Sequence, residues 1–195
     1  NVKDKNGNYV GSLPDGEMFF HHDMCYLPEP HKGTFLFAID LPSVGGNTLF
    51  TNMYSAYDKI PGDLKQKLAG HSVLQVYDYH MTETVDVDDD LTGIHHLSQP
   101  IFVKHPYSGR TALYVNRLMS ARIDELPRDE SDTILKQLLD IAEAGENVYE
   151  HVWTEGDLIM WDNFCSCHAR TDFPATERRL LRRCTVQGQA MIPAD

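Results

Sequence analysis

Apolar residues along this chain come in short alternating or continuous runs broken by Gly, Pro, Asn and Asp, a strand-and-turn pattern rather than a helical one. The runs predict strands over residues 18–26, 34–40, 48–51, 72–77, 101–104, 112–116, 148–153, 157–161 and 180–187. Two segments break the pattern. Residues 63–69 read as a short helix stopped by Gly70. Residues 131–144 read as a longer one that sets Ile134, Leu135, Leu138, Leu139 and Ala142 on one face before Gly145. Many short strands with few helices predict a mainly β fold with flanking helices, a double-stranded β-helix or jelly roll of cupin-like type, as one domain over residues 1–195.

With 195 residues and 42% hydrophobic content, the chain can bury one sizeable core. No apolar run approaches the length of a membrane span. A formal charge of −12 opposes a phosphate-backbone partner. The expected partner is therefore a small molecule, with neither nucleic acid nor membrane, and a homo-oligomer is compatible with the sequence. Four cysteines raise the question of zinc or disulfides. Cys165-x-Cys167 runs directly into His168, a spacing unlike the usual zinc knuckles, and alternation turns Cys167 and His168 to opposite faces. Reduced, mostly buried thiols in a cytoplasmic protein are the expectation.

Two distant fragments carry the candidate chemistry. In the run Met18-Phe19-Phe20-His21-His22-Asp23-Met24-Cys25, strand alternation points His21 and Asp23 one way and His22 the other. Cys25 would share the face of His21 and Asp23 if that strand continued, which would put a thiol beside a metal. A third ligand must come from elsewhere. His168 is the best candidate, following the apolar run Leu158-Ile159-Met160-Trp161 and the Asp162-Asn163 pair. Two imidazoles and a carboxylate on one face of an octahedron leave three positions open, the pattern of non-haem Fe(II) oxygenases. In the run from Arg178 to Val186, alternation places Arg179, Leu181, Arg183 and Thr185 together. An inward arginine is costly unless it meets an anion, so Arg179 or Arg183 should face a bound carboxylate or a buried acid. Singly, each residue has a plainer reading. The chain has ten histidines, Thr48 could be β-branched strand filler, and the arginine-rich run could be a solvated edge.

The ordered set is more specific than its members. His21-x-Asp23, then Gly45-Gly46-Asn47-Thr48, then Trp161-Asp162-Asn163 with His168 and Arg179 beyond, resembles the taurine dioxygenase and 2,4-dichlorophenoxyacetate dioxygenase family of Fe(II)/2-oxoglutarate enzymes. The resemblance runs from about Gly16 to Gly188 and takes in 52–57, 105–110 and Tyr114-Val115-Asn116. It implies that His21, Asp23 and His168 bind Fe(II), and that Thr48 and Arg179 hold the distal carboxylate of 2-oxoglutarate. It further implies that O2 is consumed and that 2-oxoglutarate is decarboxylated to succinate and CO2 as a substrate C–H bond is oxidised, commonly by hydroxylation. Retention of Asp23 argues against halogenation. Arg183, Met24 and Tyr79 match positions facing the primary substrate, which suggests a small organic acid; Glu17 could instead receive an amine. The family has further strands and helices ahead of the His-x-Asp strand, so the chain, which starts at Asn1, is expected to lack an N-terminal portion. The polar stretch 80–98 lies where the family has a variable loop over the substrate, and a lid is expected there. Two other readings are kept: a non-catalytic cupin-like metal- or ligand-binding protein, and a zinc hydrolase.

Overall fold

The computed structural model describes residues 5–6, 11, 13, 15–77, 82 and 90–194. Tyr79 and most of the 80–89 stretch lie outside them. The strands are β1 Met18–His21, β2 Gly33–Asp40, β3 Thr48–Asn52, β4 Ser72–Tyr77, β5 His95–Pro100, β6 Phe102–Lys104, β7 Thr111–Leu113, β8 Ser120–Ile123, β9 Val148–His151, β10 Leu158–Asp162, β11 Ser166–Arg170 and β12 Leu180–Val186. The helices are α1 Met53–Lys59, α2 Gly62–Leu68 and α3 Arg128–Ala142. This is the mainly β chain with few helices that the apolar pattern predicts. Because β5 begins at His95, the end of the expected 80–98 loop is strand rather than loop.

Two antiparallel sheets frame the site, the four-stranded β1-β11-β3-β9 and the three-stranded β10-β2-β12; β5-β4-β8 forms another three-stranded sheet and β6-β7 a two-stranded one. In the first sheet His21 lies opposite His168, His168 opposite Phe50, and Arg170 opposite Thr48. Cross-strand partners share a face, so His21, His168, Phe50, Thr48 and Arg170 look the same way. In the second sheet Trp161 pairs with Thr34, Thr34 with Thr185, and Arg183 with Leu36. The two faces meet. The Trp161 ring centroid is 4.5 Å from that of His168 and 5.4 Å from that of Phe50.

The opposite face of the first sheet packs on helices. Cys167 joins Met53, Ala56, Leu135, Leu138 and Ala142 in the main core cluster, and the Thr51 hydroxyl donates to the Ala142 carbonyl. Helix α3 buries Ile134, Leu135, Leu138, Leu139 and Ala142, the face expected from their spacing. Helix α1 follows β3 without a loop because the Asn52 side chain accepts from the amides of Tyr54 and Ser55, both at 3.1 Å, and caps the first turn.

Candidate active site

Strand β1 stops at His21, so Asp23 does not reach the site by alternation as expected. It sits in a turn in which Met24 takes the left-handed conformation at φ 58° and the Leu27 amide donates to the Met24 carbonyl at 3.0 Å. Such a backbone is costly for a residue with a Cβ and needs support from its surroundings. Asn163, fully buried in the bend between β10 and β11, supplies it. Its Oδ1 accepts from the Asp23 amide at 2.7 Å, and its Nδ2 donates to the carbonyls of Asp23 at 2.9 Å and His31 at 2.8 Å. These bonds take Asp23 out of any ladder and turn its carboxylate toward the imidazoles. The same turn sends Cys25 away from the site. Its thiol packs in the core beside Gln75, Asn116 and Met119, where burial pushes its pKa up to about 12.

One ligand atom from each of His21, Asp23 and His168 lies within 4.8 Å of the others, and all three residues are buried. Nδ1 of His21 donates to the Phe19 carbonyl at 2.9 Å, which leaves Nε2 with its lone pair directed elsewhere. Burial lowers the pKa of both rings, for His168 with a further push from His21, so both are neutral and able to ligate. Burial alone would raise the Asp23 carboxyl. The neighbouring His168 ring, the Arg183 guanidinium and the Thr34 hydroxyl outweigh it and hold it well below the usual carboxylate range. Thr34 donates to Oδ2 at 2.6 Å, and Arg183 Nη2 lies 2.5 Å from Oδ1. An ionised carboxylate and two neutral imidazoles, with His168 Nε2 3.8 Å from Asp23 Oδ1, make a donor set that fits a divalent cation. His22 faces the other way, packed on Tyr114 with ring centroids 4.3 Å apart and its nitrogens 3.3 and 3.4 Å from the Cys167 sulfur.

A cavity of about 710 Å³ opens onto this cluster and is also lined by Thr48, Arg179, Arg183 and Met24. Arg179 precedes β12, half-buried beside Phe173, and its Nε donates to the Gly46 carbonyl at 2.9 Å. Gly46 has φ +66°, and a Cβ there would come within 2.9 Å of the Arg179 side chain, so the Gly45-Gly46 turn is what lets the arginine pass. Burial, with Arg170 close by, lowers the Arg179 guanidinium to about 9, a cation that an anionic ligand would stabilise. The Thr48 hydroxyl accepts from Trp153 Nε1 at 3.0 Å, which leaves its own proton to donate inward. Trp153, His31, Tyr26 and Tyr77 carry no motif that marks them in the sequence, whereas Asn163 sits in the Trp-Asp-Asn motif. Tyr26 stacks on Tyr77 with centroids 4.6 Å apart, and both line the cavity. Glu17 is exposed and lies outside the cavity lining.

Residues 1–185 match the family model described as taurine catabolism dioxygenase TauD, TfdA family. The chain belongs to the TauD/TfdA family. It is 36% identical to pentalenolactone F synthase of Streptomyces avermitilis, over 94% of this chain and 65% of that protein. It is 36% identical to the (S)-phenoxypropionate/alpha-ketoglutarate-dioxygenase of Sphingobium herbicidovorans, over 89% and 63%. It is 33% identical to the alpha-ketoglutarate-dependent 2,4-dichlorophenoxyacetate dioxygenase of a Burkholderia species, over 94% and 60%. The chain thus spans somewhat less than two thirds of the length of these TauD/TfdA relatives. Among solved structures, AAD-2 in complex with Mn(II) and N-oxalylglycine superposes with a TM-score of 0.79 at 28% identity, over 90% of this chain and 70% of that one.

Proposed function

We propose that this chain is the catalytic domain of an Fe(II)- and 2-oxoglutarate-dependent dioxygenase. It hydroxylates a C–H bond of a small, anionic or amino-acid-like organic molecule, with O2 consumed and succinate and CO2 released. The observation that carries this reading is the meeting, in one cavity, of the His21, Asp23 and His168 cluster with the Thr48 hydroxyl and the half-buried Arg179 guanidinium.

His21, Asp23 and His168 would hold the metal. Bound there, Fe(II) supplies the redox chemistry that couples dioxygen to decarboxylation of the keto acid. The protein's own part is orientation. Arg179 takes the distal carboxylate of 2-oxoglutarate through its guanidinium fork, and Thr48 adds a hydroxyl donor whose direction Trp153 fixes. N-oxalylglycine, bound with Mn(II) in the related AAD-2 structure, has the chain length and paired acid groups of 2-oxoglutarate and supports the same assignment. Met24 and Arg183 face the primary substrate, and Tyr79 is assigned to that wall from the family resemblance. The rings of Trp161 and Phe50 pack against His168, an aromatic contact that helps keep water from that side of the cluster.

The finer fold belongs to the same reading: the two antiparallel sheets facing one another across the cavity are the halves of a double-stranded β-helix. So does the lid expected from residues 80–98, of which 80–81 and 83–89 lie outside the described residues. Among the described residues no helix is long and apolar enough to cross a membrane, and the four cysteines are unpaired thiols, which suits a cytoplasmic enzyme.

Succinate release tests the proposal. With Fe(II), O2 and 2-oxoglutarate present, a panel of aryloxy and alkyl carboxylates, sulfonates and amino acids should contain members that raise succinate formation above the substrate-free level. Metal binding without 2-oxoglutarate turnover for any of them would instead favour the zinc-hydrolase or non-catalytic reading. The Thr48–Arg179 pair argues against both, since neither needs a clamp for a dicarboxylate.

A further inference from the structure

The turn His105-Pro106-Tyr107-Ser108-Gly109-Arg110 joins β6 to β7, and none of its six residues lines the cavity. It is built around the His105 ring. The His105 amide donates to the Arg110 carbonyl at 2.8 Å and the Gly109 amide to the His105 carbonyl at 2.9 Å, a closure for which Gly109 takes φ 70°. Inside it, the amides of Tyr107 and Ser108 donate to His105 Nδ1 at 3.3 and 3.1 Å. A nitrogen that accepts N–H groups presents its lone pair, so the ring proton sits on Nε2. The turn is anchored in its own right on helix α1, where the Tyr54 and Ser108 hydroxyls lie 2.8 Å apart and the Arg110 guanidinium sits 4.2 Å from the centre of the Tyr54 ring.

The Nε2 proton reaches Asp162. His105 is buried, and its Nε2 lies 3.0 Å from Asp162 Oδ2 at the end of β10, 57 positions away in sequence. The other carboxylate oxygen of Asp162 accepts from the Phe164 amide at 2.9 Å, and the Asp162 carbonyl accepts from the Ser166 hydroxyl at 2.6 Å. Asp162 therefore gathers the bend between β10 and β11 around itself, and the next residue, Asn163, is the side chain that holds Asp23. The buried Phe164 ring meets the His105 ring edge-on, with centroids 6.0 Å apart.

Cys165 brings a third potential metal ligand within 4.8 Å of His105 and Asp162. A cation there would need a lone pair where His105 presents its proton, and burial raises the Cys165 thiol to about 11, which keeps it protonated. The three groups are a hydrogen-bonded support rather than a second metal site.

We infer that His105 is a positioning residue of the candidate metal centre: its Nε2–H bond to Asp162 sets the bend that carries Asn163, and through Asn163 the direction of the Asp23 carboxylate. The inference rests on the reading of His21, Asp23 and His168 as metal ligands, and it gives the 105–110 turn a part in that reading.

The test is titration of the metal-free chain with Mn(II), followed by electron paramagnetic resonance, beside a thermal melt of each variant. His105→Asn keeps an acceptor where Nδ1 stands, and so the turn, but falls short of Asp162. It should weaken Mn(II) binding roughly tenfold, the lower end of the cost of losing a group that orients a ligand. His105→Gln, whose amide N–H reaches as far as Nε2, should recover part of that loss. Asp162→Asn has one acceptor oxygen to serve both His105 and Phe164, and should lose about as much affinity as His105→Asn. The double variant should lose no more than either single one, because both remove the same bond. Leu138→Ala, which opens a cavity under helix α3, should lower Tm at least as far yet leave the Mn(II) affinity of the folded protein within about twofold. Parental affinity in His105→Asn or Asp162→Asn, no recovery in His105→Gln, additive losses in the double variant, or an equal loss in Leu138→Ala would each overturn the inference. A parent that binds no Mn(II) is a different signature, and it overturns the metal reading on which the inference rests.

Discussion

Asn163 grips Asp23 by its amide at 2.7 Å and by its carbonyl at 2.9 Å, across 140 positions of sequence. One amide side chain thereby determines where the candidate metal-binding carboxylate points, although it touches neither imidazole. Asn163→Ala should lower stability by about 2–4 kcal/mol, because buried backbone groups lose their partners. In the protein that remains folded it should weaken Mn(II) binding by about 10- to 100-fold, the usual scale for a residue that orients a ligand. Asn163→Asp keeps the acceptor for the Asp23 amide but loses both donors and should fall between. Titration of Mn(II) followed by electron paramagnetic resonance checks the order. A folded alanine variant with parental affinity would refute the positioning role.

That relationship also marks the limit of what the sequence discloses. The pairing of His21 with Asp23 is legible, yet for a different reason than strand alternation: the β1 ladder ends at His21, and long-range hydrogen bonds from Asn163 shape the next residues. Strands β2, β3 and β4 are legible within a residue or so because their apolar runs are clear. Strand β11 is not, since its alternation rests only on the small residues Cys167 and Ala169, too little apolar character to stand out, and the strand is held by pairing with β1 and β3. Strand β5, with two histidines and a terminal proline, looks like loop for the same reason. Helix α1 had a readable signal in Asn52, whose side chain caps it, but Met53 to Lys59 is too short for helical periodicity to declare itself.

Arg179 and Arg183 should separate in kinetics. Arg179→Ala should raise the KM for 2-oxoglutarate by at least tenfold with a smaller effect on primary substrate, because it removes a charge-assisted clamp. Arg183→Ala should do the reverse, and because Arg183 also contacts Asp23 it should shift metal affinity modestly. Steady-state kinetics with each substrate varied in turn checks this. Identical defects would refute the division of labour.

Thr48→Val removes a hydroxyl while keeping the β-branched shape the strand wants. We expect a KM for 2-oxoglutarate about five- to tenfold higher with kcat little changed, the pattern of lost binding rather than lost chemistry. Trp153→Phe, which frees that hydroxyl to rotate while keeping an aromatic ring beside His151, should move KM the same way by less. A larger effect for Trp153→Phe than for Thr48→Val would contradict this ordering.

Burial lowers the pKa of His22 to about 3, with His21 adding to the effect and Asp23 opposing it, whereas in the unfolded chain the ring titrates near its ordinary value of 6.5. Between those values the unfolded state binds a proton that the folded state does not. Stability is therefore fully present above about pH 6.5 and falls as the pH drops toward 3. Metal-free protein should lose several degrees of Tm between pH 7 and pH 5, and His22→Phe should flatten that slope. Calorimetry over this range checks it; equal slopes in both proteins would assign the acid sensitivity elsewhere.

The proposed chemistry requires one cavity to hold a ferrous ion and 2-oxoglutarate together. Anaerobic addition of Fe(II) and then 2-oxoglutarate, followed by visible absorption, tests it most directly. A charge-transfer band should appear only with both components, disappear in His21→Ala and weaken in Arg179→Ala. A protein that binds Fe(II) yet gives no band with 2-oxoglutarate would contradict it.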